Sequence, residues 1–193
     1  MKKSGEKVKF DIVTIGGSAG SLQVALTILS KLDYPFSYSI IMVFHRKNSP
    51  TEATLTQLLQ SKSIAPVKEA EDKEIILPGH IYVAPAGYHL LVEEDKSFSL
   101  DVSEKVNFSR PSIDITFSTT CEVYKDKTLA VILSGANRDG IRGMLKIKKY
   151  GGFCIAQDPT LAEVDYMPSQ AIEFNACDLV ATPEEIADFM NNK

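Results

Sequence analysis

Two rhythms of apolar residues alternate along this chain. Residues 10–15 have strand character, and behind them Leu22, Ala25, Leu26, Leu29 and Leu32 recur at helical spacing, the stripe of a helix packed on a sheet. Asp33-Tyr34-Pro35 ends that helix. Residues 38–44 are nearly all apolar, as in a strand covered on both faces. Leu55, Leu58 and Leu59 mark a second helix, which Asn48, Ser49 or Thr51 can cap with Pro50 in its first turn. Between 64 and 102 the pattern changes. Short β segments near 65–70 and 81–84 precede Leu90, Val92, Phe98, Leu100 and Val102, which alternate like a hairpin with one wet face. This region reads as antiparallel material on an otherwise parallel plan.

The first rhythm then returns. A helix beginning at Pro111 carries Ile113, Phe117, Cys121 and Tyr124 on one side, and strand 129–133 leads to a helix opened by Ile141, Met144 and Leu145. Strand 153–156, a short helix 169–174, strand 178–181 and a closing helix 183–190 complete the chain. The alternation predicts an α/β fold in three layers: a mostly parallel sheet with helices on both faces and an antiparallel hairpin insertion. At 193 residues, one domain is the economical expectation.

Composition narrows the function classes. A net charge of −4 with 24% charged residues argues against a nucleic-acid protein. The charged start (Lys2, Lys3, Lys7, Lys9) is not followed by an apolar core, so no secretion signal is read, and no stretch approaches membrane-spanning length. Cys121, Cys154 and Cys177 are odd in number, far apart and without a C-x-x-C pair. They read as reduced thiols of a cytoplasmic protein with no metal site.

The candidate chemistry lies at the strand ends, where open α/β sheets place their sites. Gly16, Ser18 and Gly20 have the spacing G-x-S-x-G, which sets a serine on a strained strand-to-helix corner. His45 follows the second strand, Asp139 the strand 129–133, and Asp158 the next. A hydroxyl, an imidazole and carboxylates on one rim are the parts of a nucleophile–base–orienter relay. Each has a plainer reading: His45 as a structural histidine, Asp139 as the cap of the helix behind it, Asp158 as a turn former, and Asp114 as a first-turn partner of its own helix dipole. His80 and His89 lie away from the parallel strand ends and read as surface or hydrogen-bonded structural histidines. A dinucleotide fingerprint fails because Ile15 occupies the first glycine and His45 the acidic position; no P-loop exists. The order Ser…His…Asp also departs from the usual α/β-hydrolase order.

These motifs together resemble the catalytic domain of the chemotaxis receptor methylesterases, the CheB family, over about residues 11–187. The resemblance rests on Ile15-Gly16-Gly17-Ser18-Ala19-Gly20, Val43-Phe44-His45, the stretch Asn107-Phe108-Ser109-Arg110-Pro111-Ser112-Ile113-Asp114, Leu133-Ser134-Gly135-Ala136-Asn137-Arg138-Asp139-Gly140, Ile155-Ala156-Gln157-Asp158 and Met167-Pro168. It implies Ser18 as nucleophile, His45 as general base and then acid, and Asp139 as its orienting carboxylate, with Asp158 in a supporting role. Backbone N–H groups near Ala19 and around Ala136 would hold the oxyanion, and Arg110, with Ser112 and Asp114, would shape the rim. The implied reaction is hydrolysis of glutamate γ-methyl esters on a methyl-accepting chemotaxis receptor through an acyl-enzyme, with glutamine deamidation by the same route. It needs no cofactor. Ser21, Ala136 and Arg46 depart from the usual residues of the family, the last two standing where methionine is common. Arg46, Lys47, Arg138 and Arg142 would bring positive charge to the rim.

No receiver domain fits in front of the first strand. Residues 1–193 are therefore expected to be a single catalytic domain, either a stand-alone form or part of a longer parent, which leaves room for a separate regulatory protein as partner. The competing readings are a catalytically idle module that binds a signalling protein, and a serine esterase for small metabolites.

Overall fold

The computed structural model describes residues 9–46 and 52–192. The capping positions Asn48, Ser49, Pro50 and Thr51, the rim residue Lys47 and the basic positions Lys2, Lys3 and Lys7 lie outside them. Seven strands form one parallel sheet in the order β3-β4-β2-β1-β7-β8-β9. They are β1 (Ile12–Gly17), β2 (Ser39–Phe44), β3 (Val67–Glu69), β4 (Ile81–Val83), β7 (Thr128–Ile132), β8 (Phe153–Gln157) and β9 (Leu179–Ala181). The helices are α1 (Ser21–Ser30), α2 (Glu52–Gln60), α3 (Ile113–Tyr124), α4 (Ile141–Lys149), α5 (Tyr166–Glu173) and α6 (Pro183–Asn191).

The three layers follow from side chains alternating across each strand. Val13, Ile15, Ile40, Met42, Leu129, Val131 and Leu133 face one core, which α1, α2 and α6 cover through Ala25, Leu26, Leu29, Leu59, Ile186 and Met190. Ile12, Ile41, Val43, Ala130 and Ile132 face the other, covered by α3, α4 and α5 through Ile113, Phe117, Cys121, Met144, Ile147 and Met167. Because both faces are buried, the central strands are continuously buried and nearly all apolar rather than alternating, with Thr14, Ser39 and Thr128 as buried polar exceptions.

The hairpin β5 (His89–Val92) and β6 (Phe98–Asp101) is antiparallel and packs Leu90, Val92 and Phe98 on the α3 side. The antiparallel expectation for 64–102 therefore holds only for its second half. β3 and β4 instead extend the main sheet in parallel, β4 pairing with β2 and β3 with β4. Among the described residues no helix is long and apolar enough to cross a membrane.

The chain leaves β1 toward β2 on one side and comes back to β7 on the other, so the strand order reverses at β1. The carboxyl ends of β2, β1 and β7 flank this reversal, and there such sheets form the crevice that binds ligands.

Candidate active site

Strand register brings the candidate residues together. Gly17 is paired with Phe44, so Ser18 and His45 are the next residues beyond the last pair, and the His45 amide donates to the Gly17 carbonyl at 3.2 Å. On the other flank the Ser18 amide donates to the Ser134 carbonyl at 2.9 Å. Ser18 itself keeps negative φ; the left-handed residue of the corner is Gly20, at φ +77°. The strain expected at the serine is thus absorbed two residues later by the residue that bears it at no steric cost. Gly20 also admits Glu163, whose Cβ would lie 2.5 Å from an added methyl, and Gly135 leaves room for Ser18, whose Cβ would be 3.1 Å from one.

The loop after β7 is fastened beside this corner. The Ser134 hydroxyl donates to the Ala19 carbonyl at 2.7 Å and accepts from the Val164 amide at 2.9 Å, while buried Gln157 accepts from the Ser134 amide. The Gly135 amide is committed to Val164, but among the described residues the exposed Ala19 and Ala136 amides donate to nothing. These two N–H groups are free to serve an oxygen at the crevice.

His45 is tied to Asp139 by Nε2 and Oδ2, 2.7 Å apart, with 10% of the histidine side chain and none of the aspartate accessible. The Asp139 carboxylate also accepts from the Asn107 amide (2.9 Å), the Ser112 hydroxyl (2.9 Å) and the backbone N–H groups of Ile113 (2.7 Å) and Asp114 (3.1 Å). Burial opposes its ionisation, yet the hydrogen bonds from His45 and Asn107 and the charge of the imidazole outweigh that cost. The Asp139 carboxyl is held below its ordinary value.

The imidazole tautomer follows from its partners. An ionised Asp139 can only accept, so Nε2 carries the proton. Nδ1 is met by Asn137 Nδ2 at 3.3 Å, and the Asn137 amide can face only this way because its Oδ1 accepts from the Asp139 N–H at 3.0 Å. Nδ1 is therefore the basic nitrogen. Among the described residues the partner of Nδ1 is the Asn137 amide, and no hydrogen bond joins the Ser18 hydroxyl to the imidazole.

Asp114 does not serve its own helix. Its Oδ1 accepts from Gly140 and Gly143, both at 2.9 Å, at the start of α4, and its Oδ2 from the Asn107 amide at 3.0 Å. Asp139, just before α4, correspondingly occupies the amino end of α3 rather than that of α4. Burial, with the neighbouring Asp139 charge, raises the Asp114 carboxyl despite the Gly143, Asn107 and Gly140 donors.

Asp158 lies apart from this cluster and caps a turn at Pro159–Leu161, accepting from the Thr160 amide at 2.9 Å. His80 bonds the Pro78 carbonyl. Buried His89 accepts from the Ser112 amide and donates to the Glu104 carbonyl, a brace behind the Asp139 cluster. Arg138 and Arg142 are exposed, and Arg46 is paired with Glu69. Asn107 and Asn137 both stand in their motifs, where the sequence assigns neither a role. The signal for the latter is the Asn-x-Asp spacing, which lets an Asx turn fold back on the Asp139 amide.

A parallel α/β sheet with a carboxylate–imidazole pair beside a serine at its switch point is the frame of a hydrolase. The family model for CheB methylesterase matches residues 13–190, and the chain belongs to this family. It is 45% identical over 181 residues to a Leptospira interrogans protein that carries the provisional name protein-glutamate methylesterase/protein-glutamine glutaminase, covering 94% of this chain and 93% of that protein. Against the protein-glutamate methylesterase/protein-glutamine glutaminase of Thermotoga maritima it is 39% identical, covering 92% of this chain but 52% of that protein. The crystal structure of the Thermotoga maritima CheB methylesterase catalytic domain superposes with a TM-score of 0.89 at 38% identity, covering 95% of this chain and 98% of that one.

Proposed function

We propose that this chain is a cytoplasmic serine hydrolase that demethylates glutamate γ-methyl esters on a methyl-accepting chemotaxis receptor, and deamidates glutamine side chains by the same acyl transfer. Residues 1–193 act as a single catalytic domain. The observation that carries the reading is the His45–Asp139 pair, Nε2 and Oδ2 2.7 Å apart, on a histidine that follows β2 just as Ser18 follows the paired end of β1.

In the reaction, the Ser18 hydroxyl displaces the Asn137 amide from Nδ1, gives its proton to that nitrogen and adds through Oγ to the ester carbonyl carbon. The resulting oxyanion takes the Ala19 and Ala136 N–H groups, donors worth about 2.7–4 kcal/mol each where such groups have been removed. Collapse breaks the bond to the methoxy oxygen, which leaves as methanol with the proton from Nδ1. Water then attacks the acyl-enzyme and gives one proton to Nδ1; collapse breaks the bond to Ser18 Oγ, which takes that proton from Nδ1, and the product acid loses its remaining proton to solvent and departs as the glutamate carboxylate. Asp139 stays ionised throughout and stabilises the imidazolium.

The test is methanol release from methylated receptor. Ser18→Ala should abolish it, and equal rates in the two proteins would remove Ser18 from the reaction. An esterase for small metabolites would instead turn over simple methyl esters and leave receptor untouched. An idle binding module would take no fluorophosphonate at Ser18.

A further inference from the structure

Beside His45 a cavity of about 420 Å³ opens to solvent, with Arg46, Lys105, Phe108 and Arg110 in its wall. Among the described residues the lining holds three cationic side chains and no carboxylate. Arg46 is already neutralised by Glu69 and also donates to the Ala84 carbonyl. Arg110 is different. Its Nη1 donates to the carbonyls of Val102 (2.6 Å) and Ser103 (2.7 Å), which orient the guanidinium without cancelling its charge, and among the described residues no acid pairs with it. Lys105 is exposed and equally unpaired among the described residues.

The lip of the cavity is built against local preference. Val106 and Ser109 exchange backbone hydrogen bonds around Asn107 and Phe108, which both have positive φ, +49° and +65°. A two-residue turn of this kind wants glycine at its second central position, and a bulky side chain there is strained. Phe108 nevertheless occupies it and is 97% exposed. Strain of this kind clusters where a side chain has a task. The turn is also fixed relative to the catalytic cluster, because Asn107 bonds both Asp114 and Asp139.

We propose that this cavity is a substrate subsite for a carboxylate carried by the polypeptide next to the scissile ester, with Arg110 and Lys105 holding the carboxylate and Phe108 packing an apolar side chain of the same segment. A guanidinium held by neutral acceptors keeps its full charge for a carboxylate and presents donors in a fixed plane. The inference rests on the ester-hydrolase reading of Ser18, His45 and Asp139, and it adds a preference: the enzyme selects ester-bearing glutamates with an acidic neighbour.

The test uses synthetic peptides with one glutamate γ-methyl ester flanked by glutamate or by glutamine. Glutamate flanks should raise kcat/KM about tenfold, mostly through KM, as one charge-assisted contact supplies. The preference should fade with added salt. Lys105→Gln should narrow it and Arg110→Gln erase it. Phe108→Gly should lower kcat/KM on both peptides while leaving the melting temperature unchanged or higher, because glycine relieves the turn. Equal rates on both peptides, or an undiminished preference in both cation variants, would overturn the proposal. Should neither peptide be hydrolysed, the methylesterase reading fails alone, and binding of the same peptides to Ser18→Ala protein, followed by fluorescence anisotropy, still decides the subsite. If demethylated peptide with glutamine flanks binds as tightly as peptide with glutamate flanks, the cavity serves the freed glutamate, and the proposal is wrong.

Discussion

Replacing Asp139 by asparagine keeps the side-chain volume and turns one acceptor into a donor. The structure makes the consequence calculable. With the new NH₂ at the Oδ1 position, it would face three donors, from Asn107, Ser112 and the Asp114 amide. At the Oδ2 position it would face two, from His45 and the Ile113 amide. The second placement costs less, and His45 can relieve half of it by moving its proton from Nε2 to Nδ1, which in turn forces the Asn137 amide off Nδ1. The Ile113 N–H is then buried without an acceptor, at about 1–3 kcal/mol, and the amino end of α3 loses its anion, at about 0.3–2 kcal/mol. The variant should fold with a loss of roughly 2–4 kcal/mol, measured by urea unfolding, a size consistent with breaking a buried hydrogen-bonded pair. Its base nitrogen then points at the asparagine and away from Ser18, and kcat should fall by about 10⁴, the scale known when a relay histidine is locked in the wrong tautomer. Nitrogen chemical shifts of the His45 ring report the proton directly: Nε2–H in the parent, Nδ1–H in the variant. A variant that keeps kcat within about tenfold of the parent, or whose ring keeps the Nε2–H tautomer, would refute the assignment of Nδ1 as base.

Two further outcomes follow from the same cluster. Asn137→Ala removes the amide that competes with Ser18 for Nδ1 but also the acceptor of the Asp139 N–H; fluorophosphonate should label Ser18 severalfold faster if competition dominates, and slower labelling would show that the amide chiefly positions the loop. Acid should divide the two carboxyls. Asp139 lies below its ordinary value near 3.8, so its stabilisation is complete above that value and is lost as pH falls through the lower folded value. Asp114 is raised above 3.8, so its contribution is complete below that value and is lost as pH rises through the higher folded value. Urea midpoints between about pH 3 and 7 should therefore show the parent losing its acid-side advantage over Asp139→Asn, while Asp114→Asn weakens the parent's gain in mildly acidic solution; coincident pH profiles for parent and both variants would contradict the two shifts.

The sheet was legible in the sequence because its central strands are buried on both faces, and nothing except continuous apolar residues satisfies that. The placement of Ser18, His45 and Asp139 was legible for a related reason: each follows such a strand, and parallel topology sends the ends of these strands to one rim. The direction of β3 and β4 was not legible. Each is three residues long, too short to carry a face pattern, and β4 is oriented by pairing with β2, a partner about 40 residues earlier in the chain whose influence no local window contains. The strain on Ser18 was misplaced because the spacing of glycines says that a corner exists without saying which residue takes the left-handed turn; Gly20 takes it. Asn137 forms an Asx turn through its Oδ1, but only the fold shows that the other end of its amide meets His45.

The capping acids show how a local rule survives while its address changes. Asp139 precedes α4 and Asp114 sits in the first turn of α3, and each is suited by type and position to its own helix. The fold crosses them. Gly140 and Ser112 occupy the N-cap positions without side-chain caps of their own, so the amino ends of both helices need acceptors, and each obtains the carboxylate of the other. A self-capping pair would satisfy the same N–H groups but leave each carboxylate free to move with its own helix. Crossed caps make the packing of α3 on α4 a condition for either helix to be capped, and the Asn107 amide bridges the two acids where their charges repel. That places a fixed, ionised carboxylate at the crevice without using the bond to His45 to hold it there. Asp139 has four other donors, so in the proposed reaction the imidazole would gain and lose a proton on Nδ1 while the acid keeps its place. The use of Asp139 as a cap and its bond to His45 are thus one arrangement: the first supplies the rigidity that the proposed orienting role requires.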